Sequence, residues 1–295
     1  MLIALLLALA APPEEPNLNL SPAVKAVLAE RSTLSDAAFV AKVRALADSD
    51  DASAIELLGE LEQFGGFGLA PDSAKACALF ARGADRRGDT AHNLARCYET
   101  GNGMPADLAK ARNGYQRAAA LGYAKSNCAL GLLMVSGKGG PRDVDGGVAL
   151  CRRAADAGDA DAQTDLGDMF LSGQDVKKDM AQALRYYTLA AEQKQPNAAL
   201  ILGQIYWNGD GVAANRDIAV RWWKVAWDGG RKEAAGLIVR DLITRGTSKR
   251  DGKDVFDTAL VPETTQWLER AAADEPDPDL RKGFAGLLEQ FRRMK

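Results

Sequence analysis

The reactive side chains of this 295-residue sequence are four cysteines, one histidine and 40 carboxylates, with five tryptophans available for stacking. Their spacing narrows what they can do. His92 is the only imidazole, so metal sites and proton relays that need a second one are excluded. It stands two residues before Leu94 in a helical pattern and reads as a packed or capping side chain. Cys77, Cys97, Cys128 and Cys151 form no Cys-x-x-Cys, which leaves zinc and dithiol motifs unsupported. Gly101-Asn-Gly103, Gly137-Lys-Gly139 and Gly209-Asp-Gly211 look like fragments of phosphate loops. A dinucleotide fingerprint, however, requires a strand before it and a third glycine three residues on. Here helical patterns precede and the third glycine is missing. Gly-x-Ser-x-Gly, Ser-x-x-Lys and His-Glu-x-x-His do not occur. Among so many acids some carboxylate pair always exists, so their number alone does not indicate glycoside cleavage. The expectation is a non-enzyme, with no catalytic, cofactor-binding or metal-binding residue and no cofactor.

Those side chains ride on a repeat. Leu58, Leu94, Leu130, Leu166 and Leu202 lie 36 residues apart. Each is followed by a small residue (Gly59, Ala95, Gly131, Gly167, Gly203) and, seven positions on, by Gly65, Gly101, Gly137, Gly173 or Gly209. An acid or amide comes next (Asp72, Asp107, Asp143, Asp179, Asn215), then bulky pairs such as Tyr186-Tyr187 and Trp222-Trp223, then small pairs such as Ala190-Ala191. Between Ala160 and Leu171 the apolar residues Ala162, Leu166, Met169 and Phe170 share one helical face. Asp159 caps that run and Gly173 ends it. A second amphipathic run starts at Asp179. One repeat is thus helix, glycine-rich turn, helix. A mid-helix glycine costs ~1 kcal/mol against alanine, so its return in four of five repeats implies close packing of paired backbones. No repeat buries its apolar face alone.

The pattern Ala-x-x-x-Leu-Gly-x-x-Tyr-x-x-Gly-x-Gly, followed by Asp-x-x-x-Ala-x-x-Trp/Tyr-Tyr-x-x-Ala-Ala-x-x-Gly, resembles the Sel-one-like repeat, a longer relative of the tetratricopeptide repeat. The best local match runs from Ala198 to Gly230, and the resemblance covers about Ala52 to Arg231. It implies an all-α, right-handed α/α superhelical solenoid of helix hairpins, commonly an adaptor or regulator in signalling, envelope processes or host contact. In tetratricopeptide-like stacks the first helices line the concave surface. Off-core positions there include Asn93, Arg96, Asp165, Asp168, Gln204 and Arg240. Trp207 and Trp227 fall outside the family pattern, which makes them candidates for a partly exposed aromatic patch that binds a protein or peptide. A second reading is an envelope component that recognises a glycan or peptidoglycan fragment by stacking on these tryptophans, or hydrolyses one. By register, Cys128 and Cys151 lie on paired helices of one repeat, and Cys77 and Cys97 on neighbouring helices of consecutive repeats. Two bridges or four small apolar thiols are both open readings.

The flanks complete the organisation. Residues 1–16 read as a secretory leader and linker. The apolar run Met1–Ala10 ends in Ala8-Leu9-Ala10 before Pro12-Pro13, too short to span a ~30 Å bilayer core, although no Lys or Arg precedes it. A periplasmic or secreted bacterial protein without a stable membrane anchor is expected. Residues 17–51 read as N-terminal caps opened by Ser21 and Ser35, 52–231 as five repeats, and 232–275 as a degenerate sixth with an inserted charged loop at 247–261. Residues 276–295 form a capping helix whose apolar stripe is Leu280, Phe284, Leu287, Leu288 and Phe291. A net charge of −3 with mixed signs lacks the basic footprint of a nucleic-acid binder.

Overall fold

The computed structural model describes residues 20–251 and 253–293. The expected leader, residues 1–16, lies outside them. Two short helices come first, α1 (Pro22–Ala29) and α2 (Asp36–Asp48). The Ser21 and Ser35 hydroxyls accept from the backbone N–H groups of Val24 and Ala38. The paired helices follow as α3 (Ala52–Phe64) and α4 (Ser73–Gly83), α5 (Gly88–Thr100) and α6 (Leu108–Ala120), α7 (Ser126–Ser136) and α8 (Val144–Asp156), α9 (Ala160–Ser172) and α10 (Met180–Glu192), and α11 (Pro196–Asn208) and α12 (Arg216–Asp228). A sixth pair is α13 (Ala234–Gly246) and α14 (Val261–Asp274), and α15 (Pro278–Arg292) follows it. The fold is an all-α repeat array.

The acid or amide of each repeat joins its two helices. The Asp107, Asp179 and Asn215 side chains accept from the N–H groups of Lys110, Gln182 and Ile218, capping the second helices. Their own backbone N–H groups donate to the carbonyls of Tyr98, Phe170 and Tyr206 near the ends of the first helices. One residue therefore satisfies an orphan donor on one helix and an acceptor on the other. The turn between them begins at Gly101, Gly137, Gly173 and Gly209, all left-handed with φ from 64° to 81°, where a Cβ would be strained. Close approach explains the other recurring glycine. A Cβ on Gly167 would stand 2.6 Å from Cε1 of Tyr187.

The chain divides into two compact units, residues up to Ala154 and from Ala155 onward. In the first, Val24, Phe39, Ile55, Leu57 and Leu61 anchor the N-terminal core, and Tyr115 and Leu133 a second cluster. Of the two readings open for the cysteines, the structure contains the bridges. Cys77–Cys97 ties α4 to α5 and Cys128–Cys151 ties α7 to α8, with Cα atoms 6.0 and 3.9 Å apart. The second unit has one continuous core, from Tyr187 through Leu202, Trp223, Ile238 and Leu268 to Phe291.

The insertion between α13 and α14 differs from the expected loop over 247–261. It is a β-hairpin, β1 (Thr247–Arg250) antiparallel to β2 (Lys253–Phe256), followed by a 3-10 turn at Thr258–Leu260. Asp251-Gly252 is the dipeptide that two-residue hairpin turns favour, and Asp251 takes φ 51°. Phe256 anchors the hairpin by meeting Phe291 of α15 edge-on at 4.8 Å. Within the stripe of α15, Leu288 and Phe291 are buried, whereas Leu280 is 54% exposed and seals nothing.

Candidate functional site

In the second unit the position two residues after the repeat leucine holds Asp168 and Gln204, and Arg240 stands at the equivalent place after Ile238. Around the last two an aromatic and cationic cluster forms. Trp207 of α11 is half-buried, its ring tilted on that of Trp223 with centroids 5.4 Å apart. Trp223 is fixed in the core at 1% exposure, under Gly203. Two guanidiniums lie over the Trp207 ring, Arg216 from the start of α12 at 4.7 Å and Arg240 of α13 at 5.6 Å. Beside it Gln204 donates to Asn208 at 2.9 Å, and Asn208 to Asp210 at 3.0 Å. A third cation, Arg245, is held by Asp217 at 2.8 Å and by buried Asp241 at 2.5 Å. Burial raises the Asp241 carboxyl above its ordinary range, and Arg245 opposes that rise. The arrangement offers an apolar plate, planar guanidinium forks and amide groups, which suits polypeptide recognition.

The structure brings together Trp207, Gln204 and Arg240 from the expected set. It does not place Trp227 there. Trp227 is 9% exposed, edge-on to Trp267 at 5.8 Å and covered by Lys232 and Arg270 at 4.1 and 5.8 Å. Its deviation from the small-pair pattern is a core substitution that fills space against α14, and the expectation that it forms an exposed patch is corrected accordingly. Asp168, on α9, is exposed and accepts from the Tyr187 hydroxyl at 2.6 Å. Asp165 is half-buried, and burial, then the neighbouring charges of Asp168, Asp161 and Asp159, push its carboxyl up to about 7.

Arg96 belongs to the first unit. There it lines, with Gln63, Ser73 and Thr100, a cavity of about 120 Å³ at the Cys77–Cys97 bridge. Asn93 donates to Glu56 at 2.6 Å. Burial, aided by Asp89, pushes that glutamate up to about 8. His92 packs between Tyr115 and Tyr123 at 5.1 and 5.2 Å, with Nδ1 2.9 Å from the Ser126 hydroxyl. Burial and then Arg96 and Lys125 lower it to about 4, so it is a neutral packing residue at neutral pH.

Sequence reasoning missed Arg216 and Glu56. Arg216 gave a faint signal, a cation directly after the capping Asn215. Glu56 gave a clearer one, a carboxylate set between Ile55 and Leu57 inside an apolar run. Among the described residues no helix is long and apolar enough to cross a membrane.

The Sel1 repeat family model matches five consecutive stretches, residues 52–87, 89–123, 124–159, 160–194 and 196–230. Among solved structures the chain is similar to a Sel1 repeat protein from Oxalobacter formigenes, at 24% identity over 87% of this chain and 98% of that one, with a TM-score of 0.62. It is also similar to c5321, a protective antigen of uropathogenic Escherichia coli strains displaying an SLR fold, at 22% identity over 81% of this chain and 49% of that one, with a TM-score of 0.54. No curated protein matches the chain.

Proposed function

The chain belongs to the Sel1 repeat family, whose members are generally protein-interaction scaffolds, and from that premise we propose an exported, non-enzymatic adaptor or regulator that binds a protein or peptide on its first-helix face. Trp207 carries this reading. It is a large aromatic outside the repeat pattern, half-buried rather than packed away, and ringed by guanidinium and amide groups. Aromatic and arginine side chains are the usual anchors of protein interfaces. The glycan reading keeps Trp207 alone, because Trp222, Trp223 and Trp227 are 6%, 1% and 9% exposed and offer no row of faces for sugars.

Export rests on the apolar run ending at Ala8-Leu9-Ala10 and on two bridges that need an oxidising compartment to persist. N-terminal sequencing of the mature protein should start just after Ala10, and denatured, unreduced protein should show no titratable thiol. Four thiols and an intact leader would defeat export.

The interaction reading is tested by crosslinking in the intact producing cell, with captured proteins identified and the Trp207→Ala variant run in parallel. The variant should lose the captured partner by about tenfold or more while its melting temperature falls by only a few degrees, since truncating an interface anchor costs ~2 kcal/mol or more in binding. Unchanged capture together with a large loss of stability would show Trp207 to be a core residue and end this assignment.

A further inference from the structure

Two arginines lie over Trp207, and a third, Arg245, stands farther along α13; they differ in what holds them. The charge of Arg245 is taken up inside the fold by Asp217 and Asp241. Arg216 and Arg240, both exposed, have no carboxylate at ion-pair distance among the described residues, and each lies over the same indole ring. A cation on a solvent-accessible ring gains little. A guanidinium fork gains far more from a carboxylate, which accepts two parallel N–H bonds from it. Arg216 is also the first residue of α12, where the helix dipole adds positive potential. Arg216 also acts on buried Asp241 across the fold, but its exposed fork and that of Arg240 remain open to an anion, and the Trp207 ring favours an apolar group.

We infer that this face takes an acidic peptide segment, one that sets a carboxylate against Arg216 and Arg240 and lays an apolar side chain on Trp207. The inference rests on the scaffold reading above and adds the chemistry of the partner. A bound carboxylate gains a charge-assisted hydrogen bond from each guanidinium that it reaches. Gln204 and Asn208, one helical turn apart beside the ring, present amide groups to the peptide backbone. Asp210 closes that rim, so the negative charge of the partner lies on the arginine side.

The test uses the full chain and three dye-labelled, end-blocked peptides in a Gly-Ser host, carrying Glu-Phe-Glu, Gln-Phe-Gln or Lys-Phe-Lys. Binding is read by fluorescence polarisation. The acidic peptide should bind about tenfold tighter than the neutral one, and the lysine peptide weaker still. The R216Q/R240Q double variant should bring acidic and neutral peptides within about threefold, and R216E/R240E should transfer the preference to the lysine peptide. Both side chains are exposed, so circular dichroism melts should match the parent. Equal binding of acidic and neutral peptides by the parent, or a preference that survives R216Q/R240Q, overturns the inference. Repeating the cellular crosslinking separates the two claims. If Trp207→Ala abolishes capture and R216Q/R240Q does not, the scaffold reading stands and the charge assignment falls. If neither variant alters capture, the reading of this face as a binding surface falls.

Discussion

Glu56 occupies a place where a carboxylate is costly. It is 6% exposed on α3, its Oε1 accepts from Asn93, and its Oε2 has no hydrogen-bond partner. Burial pushes its titration from 4.5 up to about 8. The native state therefore keeps a proton that the unfolded chain releases between those values, and stability falls as pH rises through that window. Asp165, pushed up to about 7, acts in the same direction. His92 acts in the opposite one. Lowered from 6.5 to about 4, it refuses a proton that the unfolded chain takes up as pH falls. Glu56→Gln keeps an acceptor for Asn93 and removes the titration, so it should stabilise the protein by at least ~1 kcal/mol more at about pH 8.5 than at about pH 5. Urea melts at the two values check this, and an equal effect at both would show that Glu56 titrates normally. The tryptophans show what a sequence reveals of such sites. Departure from the repeat pattern singled out both Trp207 and Trp227. Whether an out-of-pattern aromatic faces solvent depends on what the next helix places opposite it. Trp267 helps to bury Trp227, whereas Trp207, beside Trp223 and under the exposed Arg216 and Arg240, stays half-buried. That difference is tertiary and has no local signature.

Helices and turns were far more legible, because each repeat states its rules five times. The 36-residue spacing, the left-handed turn glycines and the capping Asx residues all appear in the structure in the roles that their chemistry requires. The hairpin after α13 occurs once, so no period announced it. Its one local clue, Asp251-Gly252, stands among charged residues that equally suit a loop. Two kinds of glycine make a sharp test of element packing. Gly167→Ala drives a Cβ into the Tyr187 ring and disturbs the Tyr187–Asp168 hydrogen bond. It should cost about 1–3 kcal/mol despite the gain in helix propensity. Gly283→Ala, on α15 with nothing within 4 Å of the new Cβ, should instead gain about 0.5–1 kcal/mol. Thermal melts of the two variants must shift in opposite directions. Asp179→Ala removes a cap on α10 and should cost about 1–2 kcal/mol. A neutral result there would mean that the backbone bond from residue 179 to Phe170 suffices to hold the turn.

A repeat array is stabilised mainly by neighbours, so a local change spreads only as far as the interfaces it touches. Both disulfides lie in the first compact unit. The second holds no cysteine and depends on the aromatic and aliphatic core between Tyr187 and Phe291. The bridges close sequence separations of 20 and 23 residues, and each restricts the unfolded chain by about 3 kcal/mol in the chain-entropy account. Reduction should remove that stabilisation from α4 through α8 and leave the second unit close to its original stability. Hydrogen exchange followed by mass spectrometry, with and without a phosphine reductant, reads this directly. Amides of residues 73–156 should exchange faster after reduction, and those of residues 196–292 should keep their rates. Acceleration spread evenly along the chain would mean that the array unfolds as one cooperative block, with the bridges stabilising the Trp207 face as well as their own helices.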